Sequence, residues 1–190
     1  MMNMKILNKI FVIFFIILFS VTLQSQNKYF SKKAYIKFVS PTPIITIQAY
    51  NKRVVTFLNI ETGEIVFALF MQDFKFMRPL AEEHFNENYI ESDKYPQAKF
   101  KGKILDIDKI NFNKDGTYQV LVEGELSMHG ATITIKENAE IKIKKGKILA
   151  SSSLTLIPED FNIKIPGLVR DLIAKEIETS VKVVYAPYKN

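Results

Sequence analysis

The chain has 190 residues, with no cysteine, only two histidines, and few glycines or prolines, seven of each. Without cysteine there is no disulfide, no thiol nucleophile and no thiol to carry a lipid anchor. Stability must therefore come from an ordinary hydrophobic core, which a chain of this length can supply. A metal site needs three or four convergent ligands. His84 has Glu83 and Glu87 near it, but the other histidine, His129, sits far along the chain. No G-x-S-x-G elbow accompanies either histidine, so the nucleophile and base of a hydrolase are missing. No internal repeat, low-complexity tract or inter-domain linker divides the sequence. No helix-turn-helix, finger or aromatic-platform motif points to nucleic acid. The residues name no catalytic group, no metal ligand and no cofactor.

What is present begins with an export layout. Lys5 and Lys9 precede an unbroken apolar run, Ile10 to Phe19, and Ser20 to Gln26 then turns small and polar. Residues 1–25 read as a cleaved signal peptide, because the apolar run is shorter than the roughly 20 residues of a membrane-spanning helix. Residues 26–190 then form one domain, periplasmic or secreted. Removing Lys5 and Lys9 with no acidic residue lowers the net charge of +6 by two, to +4. That excess is spread as single lysines and reads as a solvated surface, with weak attraction to anionic lipid or polymer as the sharper alternative.

Past residue 26 the dominant period is two. Ile133 and Ile135 alternate with Thr132, Thr134 and Lys136; Ile141 and Ile143 alternate with Glu140, Lys142 and Lys144; Ile177, Thr179, Val181 and Val183 alternate with Glu178, Ser180 and Lys182. This is the pattern of a sheet with one buried face. Asp115-Gly116, Thr62-Gly63 and Lys145-Gly146 supply turn chemistry. Strands are expected near 29–38, 43–49, 52–60, 64–76, 98–111, 117–128, 131–144, 147–157 and 176–186. Two short helices interrupt them. In 78–89, Leu80, His84 and Phe85 share helical spacing behind Pro79; in 166–176, Leu168, Leu172 and Ile173 form one stripe. Long antiparallel strands with so little helix must bury their edges by closing. The expected fold is all-β, a lipocalin-like antiparallel barrel of about eight strands.

Individual polar residues read first as structure. His129 beside Gly130 reads as a turn histidine whose ring caps backbone groups. Asp106 and Asp108, on one face of the 98–111 segment, read as solvated. Tyr95 before Pro96 is biased to extended backbone and stands where a ring can cover a barrel mouth. In segment 64–76, Ile65, Phe67, Leu69 and Met71 share one face, while Val66, Ala68 and Phe70 make the other apolar too. Inward apolar side chains fill a packed barrel and line an open lumen alike. Periodicity leaves both open: a binding barrel, or a filled barrel serving as an interaction or stress-protection module. Large side chains such as Phe67, Phe100 and Met128 meeting across the lumen would decide for the second.

Three passages carry a family resemblance. Phe74-Lys75-Phe76 followed by His84 to Gly102 (HFNENYIESDKYPQAKFKG) is the first. Gly124 to Thr132 (GELSMHGAT) is the second, and Asp160-Phe161-Asn162-Ile163 with the closing strand Ile177 to Tyr185 is the third. Together they resemble the YceI family of periplasmic lipid- or polyisoprenoid-binding proteins, and its Bacteroidota-type branch in particular. One departure stands out: many members carry an arginine just before the Asp-Phe pair, where this chain reads Leu156-Ile157-Pro158-Glu159. The resemblance implies a lumen that takes an apolar lipid with a long tail, isoprenoid, quinone or fatty-acid-like. On that implication Ile65, Phe67, Leu69, Met71, Phe100, Leu126 and Met128 become the expected lining, with Tyr95 at the mouth. Transient contact with a membrane surface and a homodimer are the further partners to consider.

Overall fold

Eight strands close on themselves in sequence order in the computed structural model, which describes residues 27–188. The expected signal segment lies outside the described residues. The strands are β1 (Lys28–Pro41), β2 (Thr46–Asn59), β3 (Glu64–Phe70), β5 (Gln97–Ile104), β6 (Gly116–Met128), β7 (Ala131–Lys144), β8 (Lys147–Leu156) and β9 (Ile177–Pro187). Every neighbour pair is antiparallel, and β9 returns to β1 through pairs such as Phe38↔Thr179, which shuts the barrel. A two-residue strand β4 (Lys75–Phe76) adds to β2 at Ala49 and Tyr50. The all-β barrel read from the period-two segments is the observed fold. Closure removes the exposed edges that such long strands would otherwise present.

Several boundaries differ from expectation, each for a local reason. Segments 43–49 and 52–60 are one strand, β2, because Asn51 makes a bulge rather than a turn. Its Oδ1 accepts from the Arg53 N–H at 2.8 Å and its Nδ2 donates to the Phe70 carbonyl at 3.1 Å. The inward set shifts there from Ala49 and Asn51 to Val54, Thr56 and Leu58. Segment 64–76 ends as a strand at Phe70, and Met71–Asp73 is a 3-10 turn. On its second face Val66 and Ala68 are half-buried and Phe70 is exposed. Segment 98–111 stops at Ile104. Asp106 and Asp108 therefore sit on and beside a 3-10 turn, where Asp106 pairs with Lys109 at 3.1 Å.

The first expected helix is α1 (Pro79–His84) continued by a π-turn, Phe85–Tyr89, and Leu80 points outward. The second is a 3-10 helix, Gly167–Leu172. Its tighter winding breaks the expected stripe: Leu172 and Ile173 turn inward while Leu168 is fully exposed.

The core has two parts. At the end formed by the 60–63, 105–115 and 145–146 connections, Leu58, Ile104, Ile110, Ile141, Ile143, Ile148 and Tyr185 pack into a solid floor. At the other end lie the 42–45, 71–96, 129–130 and 157–176 connections. There Met71, Phe74, Ile90, Phe161 and Ile163 form a second cluster over the mouth. The space between the two clusters is the candidate site.

Candidate functional site

Strand alternation decides what faces the lumen. Ile65, Phe67, Leu69 and Met71 project inward from β3 and its following turn, Ala98 and Phe100 from β5, and Leu126 and Met128 from β6. They bound a cavity of about 400 Å³ that runs from the middle of the barrel to the mouth, within the size range of small-molecule sites. Seven of the eight residues expected at the lumen line this cavity. Tyr95 does not. Its ring packs 4.4 Å from that of His129 and over Gly130, outside the lumen, carried there by a turn in which the Tyr95 N–H donates to the Glu91 carbonyl at 2.8 Å.

The lumen stays open where the sequence left two outcomes. Phe67 and Phe100 do not meet across it. They are ladder partners on β3 and β5, with ring centroids 6.4 Å apart on the same wall. Phe100 lies close to that wall because Gly102 and Gly124 face each other on β5 and β6. A Cβ on Gly124 would sit 2.8 Å from the tip of the Phe100 ring, and one on Gly102 would collide with it outright. The glycine pair thus makes room for the ring in the wall rather than in the cavity.

The floor holds one buried polar pair, the hydroxyls of Thr56 and Tyr185 at 2.8 Å. Burial pushes the Tyr185 phenol well above its ordinary value of 10.0, against a smaller lowering from the Thr56 hydrogen bond. Near the mouth, burial also raises the phenol of Tyr89, which lines the cavity.

The mouth is covered by two flaps. One is aromatic: Phe85, from the π-turn, contacts Phe38 at 5.6 Å, Phe74 at 5.8 Å and Phe76 at 5.0 Å between centroids. Lys75 Nζ donates to Glu82 Oε1 at 2.5 Å and the Phe76 N–H to Oε2 at 3.2 Å, which pins α1 to β4. The other flap is a plug. The β7–β8 ladder runs only from Ala139↔Ser152 to Lys144↔Lys147, so the two strands separate toward the mouth. The 3-10 turn Pro158–Phe161 fills the gap with the fully buried Phe161 ring.

His129 ties both flaps together. It and Gly130 adopt φ of 51° and 75°, the two-residue hairpin geometry. Nδ1 donates to the Phe161 carbonyl at 2.8 Å, and Nε2 lies 3.1 Å from Glu91 Oε2 on the aromatic flap. The Phe161 carbonyl only accepts, so Nδ1 carries the proton of that bond. The expectation of a turn histidine capping backbone matches this placement. Among the described residues no three His, Asp or Glu side chains converge as metal ligands.

Sequence reading missed three polar side chains inside the lumen: Glu137 on β7, Ser152 on β8 and Thr179 on β9. Glu137 carried a signal. It interrupts the inward series Ile133, Ile135, Ala139, Ile141, Ile143 at the one position where an apolar residue is expected.

The chain matches the YceI-like domain over residues 32–185. Solved structures share the fold at low identity. A polyisoprenoid-binding domain from Saccharophagus degradans, implicated in plant cell wall breakdown, superposes with a TM-score of 0.74 at 12% identity, covering 85% of this chain and 99% of its own. BcnA of Burkholderia cenocepacia gives 0.66 at 14% identity, covering 80% and 96%. The YceI protein of Campylobacter jejuni gives 0.53 at 16%, covering 72% and 81%. No curated protein matches the chain in sequence. With the family matched from β1 to β9 and the barrel closed as in these structures, the chain belongs to the YceI-like domain family.

Proposed function

We propose that this protein is an exported carrier or sequestering protein that holds a long-chain apolar lipid, of the polyisoprenoid, quinone or fatty-acid-like kind, in its lumen. The observation that carries the reading is the cavity itself: about 400 Å³ of space walled by Phe67, Leu69, Phe100, Leu126 and similar side chains in a barrel whose floor is solidly packed. A tail entering it gains about 0.8 kcal/mol per buried methylene. The Saccharophagus domain described as polyisoprenoid-binding has the same fold. The reading is one of binding and release, without turnover. Export rests on the layout of residues 1–25.

The mouth end supports exchange with a membrane. The four most exposed large apolar side chains among the described residues are Leu168, Met77, Ile44 and Leu80, at 100%, 82%, 67% and 60% exposure, and all four sit on mouth connections. Docking there works by insertion of these apolar side chains.

Native mass spectrometry of protein purified from its own envelope tests the proposal. A co-purifying lipid of discrete mass, removed by organic extraction and restored by added polyisoprenoid, is the expected result. Protein that is always empty and takes up no added isoprenoid, quinone or fatty acid contradicts it.

A further inference from the structure

The lumen is not uniformly apolar: besides Ser40, His84 and Tyr89 toward the mouth and Lys99 on β5, it carries polar side chains on the wall of β7, β8 and β9, among them Glu137, Ser152 and Thr179. Ala139, Ser152 and Val181 stand on one rung of the sheet, on β7, β8 and β9. Glu137 and Thr179 are each two residues nearer the mouth than Ala139 and Val181. Thr179 pairs with Leu154 of β8, and Glu137 stands just beyond the last β7–β8 pair, Ala139↔Ser152, so both lie one step nearer the mouth than Ser152. All three line the cavity about half-way down; the facing wall of β3 and β5 offers Ile65, Phe67, Leu69, Ala98 and Phe100, with the exposed Lys99 as its one polar residue.

These groups are left with hydrogen-bonding capacity that the protein does not use. Thr179 is 8% exposed, yet its hydroxyl has no partner. Glu137 is half-buried and forms no ion pair or hydrogen bond with any described residue; the nearby outward lysine, Lys136, pairs with Glu123 instead. Ser152 donates to the Asn138 carbonyl at 2.7 Å, which leaves its oxygen free to accept. A buried hydroxyl without a partner costs free energy comparable to a lost hydrogen bond, and a carboxylate in apolar surroundings costs more. A pure hydrocarbon ligand would leave both costs in place.

Building on the reading of the barrel as a lipid carrier, we propose that Glu137, Ser152 and Thr179 form a polar subsite that receives an uncharged hydroxyl on the ligand, making the protein selective for long-chain alcohols over the corresponding acids. As a carboxylate, Glu137 only accepts, so an alcohol O–H satisfies it, and the alcohol oxygen accepts from Thr179. A carboxylate or phosphate placed at the same depth meets Glu137 as a like charge and is disfavoured.

The experiment is displacement of the apolar fluorophore N-phenyl-1-naphthylamine by octadecene, oleyl alcohol and oleate, from the wild type and from Glu137→Gln. Gln keeps the shape of Glu and removes its charge. In the wild type, oleyl alcohol is expected to compete about tenfold more tightly than octadecene, and oleate more weakly than the alcohol. In Glu137→Gln the alcohol-to-oleate ratio is expected to fall by about tenfold. Equal affinities in the wild type, or a ratio unchanged by the substitution, overturn the subsite while leaving the lipid carrier intact. Failure of all three ligands, octadecene included, to displace the fluorophore overturns both.

Discussion

His129 Nδ1 holds the main-chain carbonyl of Phe161 at 2.8 Å, so the β6–β7 hairpin turn grips the plug that fills the gap between β7 and β8. The same ring reaches Glu91 on the opposite flap. His129→Asn keeps a residue that tolerates the positive φ of this turn and removes the ring. It is expected to cost about 1–3 kcal/mol in chemical denaturation, the penalty of an unpaired buried carbonyl. The release of a bound fluorophore, followed by stopped flow, is expected to quicken, because both flaps lose their shared tether. An unchanged release rate would separate the latch from ligand exchange.

Gly102 and Gly124 set the position of Phe100. Gly124→Val places a branched side chain against the Lys101 carbonyl and the Phe100 ring. The expected cost is about 1–3 kcal/mol from overpacking. In the variants that fold, Phe100 must swing into the cavity, so long-chain binding is expected to weaken more than short-chain binding in the same titration.

Tyr185 gives an alkaline signature. Its folded-state phenol is raised by burial, so the native chain keeps a proton that the unfolded chain releases. The resulting stability is fully present below the ordinary phenol value near pH 10 and is lost as pH rises above it, at up to about 1.4 kcal/mol per pH unit. Urea midpoints measured from pH 9 to 11 are expected to fall less steeply in Thr56→Val/Tyr185→Phe than in the wild type. Replacing both partners leaves neither hydroxyl orphaned, so the double variant is expected to be close to wild type at pH 7.

The exposed rim predicts how the protein meets a membrane. Met77→Glu/Leu168→Glu is expected to slow transfer of a fluorescent lipid to neutral phosphatidylcholine vesicles several-fold, with little effect on thermal stability because both side chains are in solvent. Transfer by the wild type is expected to change little between low and moderate salt. A steep salt dependence would instead assign docking to the scattered lysines.

The barrel was legible because period two is imposed on every strand that buries one face: Ile141 and Ile143 announce themselves beside Lys142 and Lys144. Seven lumen residues were legible for the same reason. What escaped were features fixed by side-chain hydrogen bonds and by contacts distant in sequence. Asn51 reads as a turn residue until its amide is seen bonding Phe70. Tyr95 reads as a mouth residue until Gly130 is seen beneath its ring. Leu168 fits a helical stripe that a 3-10 turn does not keep. Glu137 was visible as a break in an apolar series, but only the closed barrel sets it at the height of Thr179.

The central claim is that ligand occupies the lumen, and filling the lumen tests it most directly. Ala139 and Ala150 face inward at mid-depth on β7 and β8, where the cavity begins. Titration of N-phenyl-1-naphthylamine into the wild type is expected to show one saturable site. Ala139→Phe and Ala150→Phe, checked for an unaltered circular dichroism spectrum, are expected to lose that binding at least tenfold. Full-strength binding in both folded variants would place the ligand elsewhere on the protein and contradict the account.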